Sequence, residues 1–199
     1  MSQPYPKNLI FDFGGVLIDW NPHYLYDSYF GDRAKTDWFL ANICTMEWNG
    51  QVDAGKPMAE ATAELVAKFP EWKKEIEMYF GRWIEMIGEA IPGMYELLLE
   101  LKARGHRLFG LSNWSAETFV QIKEDFPALK LLEGMVVSGY VKCLKPSPEI
   151  YQLLLDRYSL KASDCVFIDD NAANVAGAEA VGIRGIRFTG ASDLRKQLL

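Results

Sequence analysis

Five short apolar runs alternate with helical patterns along the chain, and this alternation restricts the fold more than any other feature of the sequence. The runs are Asn8-Leu9-Ile10-Phe11, Arg107-Leu108-Phe109-Gly110-Leu111, Gly134-Met135-Val136-Val137, Cys165-Val166-Phe167-Ile168 and Arg184-Gly185-Ile186-Arg187-Phe188. Each is too short to bury a helix, and the first is halted by Asp12-Phe13-Gly14-Gly15. Runs of this length closed by turn residues read as strands buried on both faces. Between them, Pro92 opens a helical segment that carries Leu97, Leu98 and Leu101 on one face and stops at Gly105. Ser115 is a plausible N-cap for a segment with Phe119, Ile122 and Phe126 at helical spacing. Ser147-Pro148 starts another, through Ile150, Leu154 and Tyr158, and the alanine-rich segment from Asn171 to Val181 ends at Gly182. Strands that alternate with helices predict a doubly wound, Rossmann-like parallel sheet covered on both faces.

The interval 19–89 has a different pattern. It lacks strand-like runs and holds five of the six tryptophans. Met58, Ala61, Leu65 and Phe69 keep three-and-four spacing, as do Trp72, Ile76, Tyr79, Phe80, Trp83, Ile84 and Ile87. Each stripe needs a partner, so an antiparallel helical bundle is expected here, with its rings assigned to the core and none to a ligand. The expected organisation is a Rossmann-like core from residues 1–18 and 90–199, with the helical segment 19–89 inserted after the first strand.

Composition sets the limits on partners. A chain of 199 residues, 49% of them hydrophobic, hides roughly 70% of its unfolded surface, enough for a core without disulfides or structural metals. Cys44, Cys143 and Cys165 are odd in number and scattered, which fits a reduced compartment. A net charge of −6 offers no basic field to a nucleic acid or an anionic membrane. No apolar run reaches the roughly 18 residues of a membrane span, and Met1-Ser2-Gln3-Pro4-Tyr5-Pro6-Lys7 has no leader pattern. The expectation is a soluble cytoplasmic protein, a monomer or weak homodimer, able to take a small anion but not a polyanion.

In a parallel sheet the binding crevice lies outside the carboxyl ends of the strands. Polar residues stand at these ends: Asp12 after the first run, Ser112-Asn113 after the second, Asp169-Asp170 after the fourth, and Lys145 a short loop beyond the third. Taken singly, each has an ordinary reading, as a turn former, a helix N-cap or a solvated loop charge. Together on one rim they suit magnesium, which takes oxygen ligands, and a phosphate, which a lysine and a hydroxyl can hold.

The ordered motifs Asp12-Phe13-Gly14-Gly15-Val16-Leu17, Leu111-Ser112-Asn113, Lys145-Pro146 and Ile168-Asp169-Asp170 resemble those of the haloacid dehalogenase superfamily of hydrolases, over essentially the whole chain. The insert resembles that family's helical cap. The resemblance implies that Asp12 is the nucleophile, forming an aspartyl-phosphate in a phosphatase. It implies that Ser112 and the Asn113 backbone bind phosphate, and that Lys145 holds both nucleophile and phosphate. Magnesium falls to Asp12, the Gly14 carbonyl and Asp170, with Asp169 as a second or outer ligand. The implied substrate is a small phosphorylated metabolite.

Two positions depart from the family pattern. Gly14 stands where most of its phosphatases carry a second aspartate that protonates the leaving group, help typically worth about 10²–10⁴-fold. An Asp-x-Gly subgroup that acts on glucose 1-phosphate shares this opening, which points to a sugar phosphate. Asn174 stands where a further aspartate is frequent, with a modest effect on metal affinity expected. Dehalogenases of the family also lack the second aspartate, so a metal-independent carbon–halogen hydrolase is the alternative, and a catalytically weakened phospho-ligand-binding protein a third reading. The Asp169-Asp170 pair favours the phosphatase. Asp19, Trp20, Asn21, His23 and Trp114 are candidates for the mouth of the site, His23 also for a replacement proton donor, whereas His106 belongs to the scaffold.

Overall fold

A computed structural model describes residues 6–199; the leader-free reading of Met1 to Tyr5 lies outside the described residues. The strands are β1 (Asn8–Phe11), β2 (Ile18–Trp20), β3 (Ile87–Ala90), β4 (Arg107–Ser112), β5 (Gly134–Val137), β6 (Cys165–Asp169) and β7 (Arg184–Arg187). The helices are α1 (His23–Phe30), α2 (Arg33–Asn42), α3 (Met46–Asp53), α4 (Met58–Lys68), α5 (Lys73–Gly81), α6 (Met94–Ala103), α7 (Ala116–Ile122), α8 (Ser138–Val141), α9 (Pro148–Arg157), α10 (Ala172–Ala180) and α11 (Ala191–Leu198).

The main sheet has five parallel strands in the order β5-β4-β1-β6-β7. Its residues alternate between two apolar layers, as the two-residue period of a strand requires. Leu9 and Phe11 of β1, Leu108 of β4, and Val166 and Ile168 of β6 face the layer that also holds α6, α7 and α11. Ile10, Phe109, Leu111, Cys165 and Phe167 face the opposite layer, against α9 and α10. Continuous apolar runs therefore reflect burial on both sides. Cys44 and Cys165 are buried as free thiols and Cys143 is half-buried, consistent with small apolar roles.

Ser115 caps α7 by accepting from the Glu117 amide at 3.2 Å. Asn171, and not Asp170, caps α10, accepting from the Ala173 amide at 2.9 Å. Pro92 lies two residues before α6, whose N-cap is the left-handed Gly93, and the loop before Lys145 contains the short α8.

Helices α1 to α5 fill the interval between β2 and β3. Asp32 and Thr45 cap α2 and α3, and an aromatic cluster packs the interior, with Tyr26–Phe39 at 4.9 Å and Trp48–Tyr79 at 5.0 Å. The expectation that 19–89 lacks strands is corrected: β2 and β3 pair antiparallel at the base of the insert, where the chain leaves and rejoins the core. Both are too short and too polar to register as apolar runs. The stripe from Trp72 to Ile87 is likewise not one helix. It breaks after Gly81 into a tight 3₁₀ turn at Trp83–Met86 and then into β3.

Candidate active site

Strands β4, β1 and β6 are neighbours, so Ser112 at the end of β4, Asp12 just beyond β1 and Asp169 at the end of β6 meet at one edge of the sheet. The Asp12 amide donates to the Ile168 carbonyl at 2.9 Å, which keeps Asp12 in line with β6 before the chain turns. Gly15 makes that turn at φ +74°, and an ideal Cβ there would stand 2.7 Å from Oδ2 of Asp170. Glycine is needed at this point for both its backbone and its lack of a side chain.

Asp12 is buried, and its Oδ1 accepts from the Phe13 amide at 2.7 Å, the Ser112 hydroxyl at 2.6 Å and Lys145 Nζ at 2.9 Å. None of the described hydrogen bonds reaches its Oδ2. Burial pushes the Asp12 carboxyl up to about 7, and Asp169 adds to the rise, against the opposing pull of Lys145 and Ser112. Lys145 is fully buried at its amine, which also donates to Asp169 Oδ2 at 2.7 Å and to the Leu111 carbonyl at 3.0 Å. A buried ammonium survives only where its charge and protons are matched, and here two carboxylates and a carbonyl do so.

Asp169 is wholly buried and fully engaged. Besides Lys145 it accepts from the Asn171 amide at 2.8 Å and from Asn174 Nδ2 at 3.0 and 3.2 Å. Asn174 thus meets Asp169 as a neutral donor, where a carboxylate would have repelled it. The Asn113 side chain clamps the Lys145 backbone, with Nδ2 to the carbonyl at 2.9 Å and Oδ1 from the amide at 2.8 Å. Asp170 is exposed overall, but its carboxyl leans over Gly15. Partial burial and the Asp169 charge raise its pKa. Carboxylate oxygens of Asp12, Asp169 and Asp170 all lie within 4.8 Å of one another. Asp12 has an unengaged oxygen and Asp170 makes no described ion pair, so this edge fits a hard divalent cation that accepts oxygen ligands.

A cavity of about 430 Å3 opens above the cluster, between the sheet edge and the insert. Asp12, Gly14, Ser112, Asn113, Trp114 and Asp170 line its floor; Trp20, Met46, Asn49, Asp53, Phe80 and Trp83 come from the insert and its stem. Of the five mouth candidates, Trp20 and Trp114 line the cavity. Trp114 is both wall and buttress, meeting Trp83 edge-on at 5.9 Å. Asp19, Asn21 and His23 do not line it. Asp19 accepts from the Tyr24 hydroxyl, the Asn21 side chain accepts from the His23 amide, and His23 pairs with Asp27 at 3.2 Å and Asp37 at 3.6 Å. Phe80 and Trp83 correct the assignment of the aromatic stripe to the core alone. His106 lies before β4, away from the site, with Nδ1 2.7 Å from the Pro6 carbonyl.

Asp53 and Asn49 were not legible as site residues. Asp53 ends α3 and is half-buried; its carboxylate accepts from Asn49 Nδ2 at 2.9 Å. Burial above all, and the Asp12 charge, push it up to about 7. The available signal was a carboxylate in the last turn of a helix, where the macrodipole disfavours it, but reading it required the end of α3.

Fold and cluster together put a candidate site at the carboxyl edge of the parallel sheet. The chain belongs to the haloacid dehalogenase-like hydrolase family, whose model matches residues 6–182. It is 29% identical to the sesquiterpene phosphatase astK of Aspergillus oryzae over 184 residues, covering 92% of this chain and 90% of the relative. It is 25% identical to the phosphorylated carbohydrates phosphatase of Thermotoga maritima over 184 residues, 89% and 82% of the two chains. Its fold is shared with a haloacid dehalogenase family enzyme of Bacteroides thetaiotaomicron solved as a magnesium complex, at a TM-score of 0.73 and 22% identity over 95% of this chain and 96% of that one. No helix among the described residues is long and apolar enough to cross a membrane.

Proposed function

We propose that this hydrolase is a magnesium-dependent phosphatase that cleaves a small phosphomonoester through an aspartyl-phosphate on Asp12. The observation that carries the reading is the buried Lys145 amine set between Asp12 and Asp169, with Asp170 completing a group of three carboxylates. Two relatives named as phosphatases that align with most of the chain support it.

Asp12 attacks phosphorus, and the Ser112 hydroxyl and Lys145 hold its carboxylate in place, with Lys145 offsetting charge as it builds on the phosphoryl oxygens. Asp169 and the Asn113 clamp keep Lys145 aimed at that spot. Asp12, Asp170 and the Gly14 carbonyl are the groups that would hold magnesium, which when bound neutralises the repulsion between an anionic carboxylate and an anionic ester. A carbohydrate phosphate and a sesquiterpene phosphate are both small phosphomonoesters. The cavity offers polar Asn49 and Thr118 beside apolar Trp20, Met46 and Phe80. The helical insert would act as a cap that shuts water out of this cavity.

The test is phosphate release from a panel of sugar, alkyl and prenyl monophosphates with magnesium and with EDTA. The phosphatase reading expects release that EDTA abolishes and magnesium restores. Halide release from 2-haloacids that persists in EDTA would replace it with the carbon–halogen reading, and binding of phosphate esters without turnover with the ligand-binding one.

A further inference from the structure

With glycine at position 14, no side chain next to Asp12 in the chain can protonate the departing alkoxide. Three aspartates line the cavity, Asp12, Asp53 and Asp170, and the described lining contains no histidine, glutamate, lysine, cysteine or tyrosine. Asp12 is committed to phosphorus and Asp170 to the cation. His23, the alternative donor, is turned to Asp27 and Asp37 outside the cavity.

We propose that Asp53, delivered from the helical insert at the end of α3, is the general acid and then the general base of the reaction. The proposal rests on the phosphatase reading above. Asp53 is built into place rather than left loose. The Asn49 amide donates to its Oδ2 at 2.9 Å, and its own carbonyl accepts from the Ser138 hydroxyl at 2.6 Å. Ser138 also accepts from the Trp114 amide at 2.9 Å, so one buried hydroxyl ties the Asp53 backbone to the strand-end loop that follows Ser112. A carboxyl pushed up to about 7 by burial is divided between its two protonation states near neutrality, as a group that must give and take a proton requires.

The steps balance. A carboxylate oxygen of Asp12 forms a bond to phosphorus as the ester P–O bond breaks, and the Asp53 carboxyl gives its proton to the leaving oxygen, releasing an alcohol. Water then attacks phosphorus, Asp53 takes a proton from it, and the bond from phosphorus to Asp12 breaks. Inorganic phosphate leaves and both side chains return to their starting states.

The experiment compares wild type with Asp53→Asn, which keeps an oxygen for the Asn49 amide, on p-nitrophenyl phosphate and on simple alkyl phosphates. A nitrophenolate leaving group needs no proton. The expected result is a nitrophenolate burst within about 10-fold of wild type, loss of alkyl phosphate hydrolysis by about 10²–10⁴-fold, and slowed release of phosphate from the phosphoenzyme. A second variant adds Gly14→Asp to Asp53→Asn. A Cβ at position 14 meets only Trp114, at an ordinary 3.7 Å, so an aspartate fits there. It should restore at least about 10-fold of the alkyl phosphate rate, since a placed acid contributes about 10²–10⁴-fold. Equal losses on both substrate types, or no loss on either, would overturn the assignment. A wild-type protein that releases no phosphate from any ester is a different failure, one that removes the phosphatase reading itself.

Discussion

The sheet edge and the helical insert face each other across one cavity, yet they are built on different rules. At the sheet edge each buried charge is held by several groups. The Lys145 amine touches Asp12, Asp169 and the Leu111 carbonyl, and Asp169 is bound in turn by Asn171 and Asn174. Asp12, Ser112 and Asp169 lie at or just beyond strand ends that cannot shift separately, because β1, β4 and β6 share one hydrogen-bonded sheet. The insert presents mainly rings and one carboxylate, carried by short helices. The contrast separates a fixed charge array from a wall whose shape and polarity can vary without disturbing it. Phosphoryl transfer depends chiefly on positioned charge, and on the reading proposed above the choice of ester would fall to the wall.

Removing parts from each side tests that division. Asp12→Asn should lower phosphate release by about 10⁴-fold or more while leaving the fold intact, as loss of a nucleophile does. Phosphate release and circular dichroism together check it, and residual turnover near wild type would return the nucleophile to another residue. Lys145→Met should lower activity by about 10²–10³-fold and stability by about 3–5 kcal/mol, because two buried carboxylates lose the cation they share. Urea denaturation reads the second effect. A variant as stable as wild type would mean that the carboxylates are less tightly tied to Lys145 than their distances indicate.

The seam comes next. Ser138→Ala leaves the Asp53 carbonyl and the Trp114 amide without their hydroxyl partner, at a cost of about 1–3 kcal/mol. Activity should fall with it only if the wall has to be held against the edge, so an unchanged rate would show the two sides to be independent. The smallest effect is electrostatic. Between the ordinary value of 3.8 and about 7, the folded protein keeps a proton on Asp53 that the unfolded chain has released, so rising pH through that window costs stability. The cost is complete above pH 7 and absent below about pH 4. Asp53→Asn should therefore be more stable than wild type at pH 8, and the difference should vanish at pH 4. A gain that persists at pH 4 would have to come from packing instead of charge.

The strands of the core were legible because parallel strands buried on both faces must be apolar throughout, so their ends are marked by the first polar residue. Asp12, Ser112 and Asp169 stand at those marks. The same rule missed β2 and β3, which pair across the whole length of the insert and are mostly only partly buried. It also read Trp72 to Ile87 as one stripe, because periodicity is blind to a break that falls between two apolar neighbours. Lys145 was legible as part of the rim, but its amine's place between Asp12 and Asp169 was not, since the loop carrying it is not periodic.

The sequence by itself determined that the chemistry sits at the carboxyl edge of a parallel sheet. That edge follows from strand direction and the right-handed return of each helix, whatever the side chains beyond it do. Only the tertiary structure decided which residue of the insert meets that edge. Asp53 lies one position past the buried Val52 on a short helix, and nothing local separates it from other acidic residues of the insert. Its place depends on packing between segments far apart in the chain, seen in the Ser138 hydroxyl that holds its carbonyl across 85 positions of sequence.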